Sequence, residues 1–408
     1  MQEFDSTLEF SPAHDEEFFA SVPAKPAVFA IEPRAELLDA KPYLLRTANL
    51  RQRLTRLLGT PDPSSKRLNL REFAGGVRYR VVGSPFELSF LHWQHARRLW
   101  PKSYREKARI RPPAVLKVSL KNAYPRCYAT RRISANGFYF GPFASRRAAD
   151  IFASGFLDLF KIRRCQIKIR RDPEFPGCIY SEMKMCLAPC FAGCTQEDYD
   201  AEVSRVVSFL STRGGSLTAE LEREREAASE ALDFERAAAV HRRVEKAAEA
   251  LRGLPDLARR LEDFNAVVLQ RAPEENTVAV FIVRGGRIEE PRLLRFAELA
   301  GEPRSVEQIL REWLEGTAAA AAALPGKHSV TQQSYRELED HLSLLTRWFH
   351  KKPRKGDIFF REATARSSAA APQDEASARR NSEWPYRRIL RACSRLLAPP
   401  AEEAPIES

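Results

Sequence analysis

The chain has 408 residues, a length suited to two to four domains, with 44% hydrophobic residues and a formal net charge of +12. No apolar run reaches the ~18 residues of a membrane span, and residues 1–24 carry six acids and no Lys or Arg, the wrong character for a signal or transit peptide. The expectation is a soluble, cytoplasmic protein whose positive surplus favours a polyanionic partner.

Residues 1–20 read as a loose acidic arm. Ala27 to Ile31 and Tyr43 to Leu45 read as strands, and Asn49 is a candidate N-cap for a helix that stops at Gly59. Val77 to Val82 is a third strand, and Glu87 to Leu99 has helical periodicity ending before Pro101. Together these make a small α+β unit over 21–112. A second unit over 113–212 opens with strands at Val115 to Leu120 and Gly137 to Phe140, then a helix from Arg146 to Phe160. Gln196 to Leu251 is nearly all helical, broken at Arg213-Gly214-Gly215 and near Asp233, so 213–252 reads as a helical hairpin. Strands return at Ala266 to Gln270 and Val278 to Val283, with a hairpin turn at Arg284-Gly285-Gly286-Arg287. An alanine run from Ala318 to Ala323 precedes a helix over Tyr335 to Phe349. Residues 363–408 read as a linker and a basic tail, with a basic amphipathic segment from Trp384 to Leu397 and disorder after Pro399. The fold class is α+β multidomain.

Positive charge is clustered. Arg97 to Arg111 holds seven basic residues against Glu106 alone, and Lys161 to Arg171 holds six and no acid. Such runs suit contact with a phosphate backbone, or else form a solvated face. Five of the seven cysteines lie between Cys165 and Cys194, spaced Cys165-x12-Cys178-x7-Cys186-x3-Cys190. In a reducing compartment this density points to metal chemistry before disulfides. Four thiolates hold zinc or an iron–sulfur cluster, and the spacing leaves both open beside a set of buried structural cysteines.

Several segments resemble one family in order. Arg164-Cys165, Pro176-Gly177-Cys178 and Cys186-Leu187-Ala188-Pro189-Cys190 resemble the UvrC family of excinucleases, which includes shorter relatives such as Cho. Gly137 to Phe143 is similar to its G-x-Y-F-G-P-Y signature, and Tyr43 to Leu54 to part of its GIY-YIG nuclease domain. Ala227 to Ala238 resembles the UVR motif. The resemblance covers residues 15–300. It implies a [4Fe–4S] cluster on Cys165, Cys178, Cys186 and Cys190, with Cys194 extra and zinc as the alternative. It also implies a hairpin that docks on a UvrB-like protein, here through Leu232, Phe234 and Ala237. DNA is the implied substrate class, in nucleotide-excision repair. For 262–362 it implies a partial RNase H-like region, since the chain ends at Ser408, too soon for the whole of that domain.

The resemblance also exposes departures at the nuclease. GIY-YIG chemistry uses tyrosine to help activate water, arginine to steady developing phosphate charge, and a glutamate that holds Mg²⁺. Here Phe29 replaces the first tyrosine, and Leu45 replaces a glycine and is expected to crowd the site. Tyr43 and Arg51 match, Arg46 stands in place of lysine, and His92 falls on the metal-binding glutamate. Neutral imidazole is a poor ligand for Mg²⁺, and Glu87 lies off that helical face. Three functional readings follow: a DNA-binding member with impaired incision, an active single-incision endonuclease with altered metal ligation, or a cluster-bearing interaction or redox scaffold that needs no DNA.

Overall fold

The computed structural model describes residues 4–37, 39–61, 64, 66–316, 332–363 and 382–398. The alanine run at Ala318 to Ala323, most of the linker from 363 and the tail after Pro399 lie outside the described residues. Mixed α/β structure fills the rest, in three sheet-based units and one projecting helical hairpin.

The first unit is an antiparallel sheet of β1 (Ser6–Glu9), β2 (Ala27–Pro33), β3 (Tyr43–Thr47) and β4 (Ala74–Val81), in the order β1-β4-β2-β3. One face is covered by α1 (Asp15–Ser21) and α2 (Leu50–Leu58), the other by α3 (Pro85–Leu99). Asn49 caps α2 by accepting from the Gln52 amide at 3.0 Å, and Gly59 ends it. The acidic arm is not loose. β1 pairs with β4, Phe10 and Phe18 are buried with Phe29 and Leu54, and Asp15 meets Arg71 at 2.7 Å. Two buried aromatic rings outweigh the acidic composition. The short α4 (Tyr104–Lys107) follows α3.

The second unit contains β5 (Ala114–Val118), β6 (Cys127–Thr130), β7 (Phe138–Phe143) and, from later in the chain, β8 (Arg259–Arg260). α5 (Arg146–Leu157) and α7 (Gln196–Ser211) bury Phe152, Phe156 and Phe209 against it, with α6 (Ile179–Glu182) in the cysteine segment between them. α8 (Gly215–Glu230) and α9 (Phe234–Arg252) form the hairpin, and Asp233 caps α9 through the Arg236 amide at 3.0 Å. Gly214 between α7 and α8 has φ +93°, and a Cβ there would lie 2.3 Å from Leu251 Cδ2, so this turn requires glycine.

The third unit is built on β9 (Ala266–Arg271) and β10 (Thr277–Arg284), joined by β11 (Arg287–Ile288), β12 (Arg292–Arg295) and β13 (Asp357–Phe360). Its central strands are buried on both faces, which explains their unbroken apolar runs. Val267, Leu269, Val280 and Ile282 pack under α10 (Val306–Glu315) and a terminal helix, while Val268, Phe281 and Val283 face α3 and α11 (Gln332–Phe349). The terminal helix is α12 (Tyr386–Leu397), and it is no free basic tail. Ile389, Ala392 and Cys393 are buried on the sheet while its arginines lie to the outside. β14 (Glu362–Ala363) and β15 (Ser382–Glu383) form a short ribbon leading into it.

α3 belongs to two cores at once. Phe90 and Leu91 pack with Val28 and Leu44 of the first sheet, and Phe86 and Phe90 meet Phe281 of the third with ring centroids 5.0 and 5.8 Å apart. Buried Asp340 of α11 ties this contact. It accepts from Tyr104 Oη at 2.5 Å and Trp93 Nε1 at 3.2 Å, and its Oδ1 lies 2.7 Å from Arg105 Nε.

Candidate metal centre and nuclease-like site

The cysteine segment is a loop anchored at both ends. The Leu187 amide donates to the Lys161 carbonyl and the Asp172 amide to the Cys190 carbonyl, each at 2.9 Å. Ala188 and Ala192 adopt left-handed backbone around a tight turn at Pro189–Phe191, which turns the chain back and buries Cys190. The Ala188 amide donates to Cys186 Sγ at 3.3 Å. Buried Arg163 donates to the carbonyls of Tyr124 and Ile167, both at 2.8 Å, and reaches Cys165 Sγ at 3.9 Å.

Cys165, Cys178 and Cys190 lie near enough to Cys186 to affect its titration. Burial pushes the Cys186 thiol up to about 11, and the nearby thiols of Cys165, Cys190 and Cys178 add to the shift. Cys190 is raised by burial first and then by Cys178, with Cys165 contributing less. Cys194 is peripheral: after burial its neighbour is Asp198, and Cys190 is the one thiol that affects it. Cys127 and Cys393 are buried elsewhere, and all seven cysteines are free thiols. Among the described residues no three His, Cys, Asp or Glu side chains are grouped closely enough to hold a metal ion. The donor set, four soft sulfurs with N–H donors and a guanidinium beside them, suits thiolate–metal chemistry.

The nuclease-like residues do not converge. Strand alternation places Tyr43 and Leu45 on the face toward α2, and Leu44 and Arg46 on the face toward α3. Tyr43 is 41% exposed and packs against Phe73 at a ring distance of 5.1 Å. Arg51, on α2, is turned onto backbone, donating to the Val22 carbonyl at 2.7 Å and the Ala20 carbonyl at 3.3 Å. Arg46, on the opposite face, donates to Ser89 Oγ of α3 at 2.9 Å. His92 lies one turn further along α3. Its pKa is lowered to about 4 by burial first, then by Arg46 and His95, so the ring is neutral at pH 7. His95 is stacked on Phe4. Leu45 is partly buried in the core beneath α2, opposite Phe29. Glu87 is occupied as a cap, accepting from the Gly83 amide at 3.0 Å, and burial raises it to about 6.

Sequence reasoning missed Arg347 as a neighbour of Arg46. It sits on α11, some 300 positions away, and donates to the Arg109 carbonyl at 2.6 Å. The basic run from Arg97 is partly absorbed by structure: Arg97 pairs with Glu337 at 2.7 Å and Arg105 with Glu339 at 3.0 Å.

At the hairpin, Leu217, Leu221 and Ala228 are buried, but Leu232 and Phe234 at the tip are 71% and 70% exposed. Ala237 is half-buried behind them.

Comparison with known proteins covers these regions. Residues 114–209 match the family described as UvrC/Cho excinuclease, middle domain, and residues 215–250 match the UvrB/uvrC motif. The chain is 28% identical over 312 residues to UvrABC system protein C of Corynebacterium jeikeium, covering 74% of this chain and 44% of that protein. The same protein from Acetivibrio thermocellus is 23% identical over 351 residues, covering 84% and 55%. That from Ruminiclostridium cellulolyticum is 30% identical over 175 residues, covering 42% and 28%. The chain therefore spans about half the length of the curated relatives it matches. No solved structure matches it. The middle domain, the helical motif directly after it and relatives aligned over most of the chain agree: this chain belongs to the UvrC family.

Proposed function

We propose that the chain is a DNA-binding component of nucleotide-excision repair whose GIY-YIG-type incision site is impaired. The observation that carries this is the separation of Tyr43 and Arg51 from Arg46 and His92 by the sheet itself. The tyrosine that activates water and the arginine that steadies phosphate must share one pocket with the metal ligand, whose place His92 takes here on the opposite face. In this reading the first unit is a degenerate GIY-YIG domain and the third a partial RNase H-like region. The relatives' printed name, UvrABC system protein C, supports the repair role.

In the same reading Cys165, Cys178, Cys186 and Cys190 hold a [4Fe–4S] cluster that secures the loop, and Arg163 steadies the Cys165 thiolate. Zinc is the alternative. The exposed tip formed by Leu232 and Phe234, backed by Ala237, is the contact for a UvrB-like partner.

A nicking assay on lesion-bearing duplex, with and without such a partner and across Mg²⁺, Mn²⁺ and Zn²⁺, tests the incision claim. No cleavage is expected; Mg²⁺-dependent nicking abolished by Arg51→Ala would overturn it. His92 favours one second reading, because a neutral imidazole suits Zn²⁺ or Mn²⁺. Nicking with those ions that His92→Ala removes would establish an active single-incision endonuclease. DNA affinity that does not vary with salt would instead favour a scaffold needing no DNA. For the cysteines, anaerobic purification should give brown protein that loses iron on Cys178→Ser, and colourless zinc-loaded protein would reject the cluster.

A further inference from the structure

Arginine is gathered on the α3 face without counter-charge. Arg46 comes from β3, Arg109 and Arg111 from the loop after α4, and Arg347 from α11. Each is exposed. Arg46 is held by Ser89 Oγ at 2.9 Å and Arg347 by the Arg109 carbonyl at 2.6 Å. These contacts fix two of the side chains while leaving guanidinium N–H groups for another acceptor. Arg109 itself adopts φ +52°, a conformation unfavourable for a residue with a side chain, and Arg347 holds its carbonyl in that place.

The neighbouring cations are treated differently. Arg97, Arg105 and Arg78 each meet a carboxylate within 3.0 Å. Among the described residues none of Arg46, Arg109, Arg111 and Arg347 forms an ion pair with a carboxylate. The cluster is tight enough to be felt. Arg46 is lowered by burial, then by Arg347 and Arg109, and Arg347 by burial, then by Arg111. Like charges collected in this way oppose folding, and an anion placed among them relieves the repulsion. Planar guanidinium forks match phosphate oxygens in pairs.

We propose that Arg46, Arg109, Arg111 and Arg347 form a metal-independent clamp for the DNA phosphate backbone on the α3 face. The clamp rests on the DNA-binding reading above and gives it residues. Where a nuclease would hold a phosphate with a cation on a carboxylate, this surface holds it with arginine alone, and so binds without cutting.

Binding of a labelled DNA duplex by the full chain, in EDTA and across a salt series, tests this. The wild-type protein should bind in EDTA. The Arg46→Glu/Arg347→Glu variant should bind about tenfold more weakly or worse, with a salt slope shallower by about 2. Arg46→Lys/Arg347→Lys should restore most of the affinity. Arg109→Ala/Arg111→Ala, in an exposed loop, gives a second weakened variant should the first fail to fold. Unchanged binding by the charge-reversed variants would overturn the clamp while leaving DNA binding intact. Wild-type protein that binds no DNA would overturn both, and binding that EDTA abolishes would overturn metal independence. Inorganic phosphate is the second probe. Saturable phosphate binding on these arginines without DNA binding would replace the clamp with a free-phosphate site.

Discussion

His341 shows how much one buried ring controls. Its Nδ1 accepts from the Ile288 amide at 2.9 Å, its ring meets Trp93 edge to face at 4.6 Å, and burial lowers its pKa to about 3. The folded chain holds this imidazole neutral, whereas the unfolded chain takes up a proton below about 6.5. The stability it contributes is complete above that value and is lost as pH falls toward 3, at about 1.4 kcal/mol per pH unit. His92 acts in the same direction between its ordinary value and about 4. Glu87 opposes both: its raised pKa means the folded chain binds the extra proton between 4.5 and about 6. Thermal unfolding from pH 7 to 5 should show a falling midpoint, and Glu87→Gln, which keeps an acceptor for the Gly83 amide, should steepen that fall. A shallower curve in Glu87→Gln would refute the assignment. Sequence drew attention to His92 through motif alignment. It gave no sign of His341, because burial by partners 50 and 250 positions away leaves no local pattern.

At the scale of elements, α3 and α11 are joined by a polar node as well as an apolar one. Removing the carboxylate by Asp340→Ala leaves Trp93 Nε1 and the Tyr104 hydroxyl without their buried acceptor, while Arg105 keeps Glu339. The expected cost is about 3–5 kcal/mol, read by urea unfolding, with Asp340→Asn milder because it keeps an acceptor. The hairpin behaves oppositely. Leu232→Asp and Phe234→Asp alter side chains that are already solvated, so stability should change by about 0.5 kcal/mol or less. Affinity for a UvrB-like partner should nevertheless fall about tenfold or more in a pull-down titration. Loss of both stability and binding would show instead that the tip is part of the fold. The hairpin was legible because helix period, the break at Gly214 and the cap at Asp233 are all local signals. The site on the first sheet was only half legible. Its residues were named, but which face each takes depends on register, and a side chain one position along a strand points the opposite way.

Across the whole molecule, the first and third sheets share one core through α3, so they are expected to unfold together. Ending the chain before Phe264 would leave Phe86, Phe90 and Trp93 without their cover, and the shortened protein should bind a hydrophobic dye strongly or aggregate. Weak dye binding and an unchanged melting temperature would show that the first unit stands alone. Periodicity in the sequence anticipated mixed α/β structure with several sheets and helices, and the helical motif after the middle domain. It treated residues 384–397 as an appendage, because a basic amphipathic helix reads alike whether its apolar face is open or docked.

The doubly packed position of α3 bears on reversion. A helix committed to two cores keeps only a narrow outward strip, and Ser89 and His92 lie on it beside Arg46. His92→Glu would return the family's type of side chain, yet the carboxylate would arrive among arginines and settle against Arg46. The revertant should stay inert with Mg²⁺ and lose affinity for DNA. Recovering a cutting enzyme from this scaffold would mean clearing the arginines first and restoring the acid second.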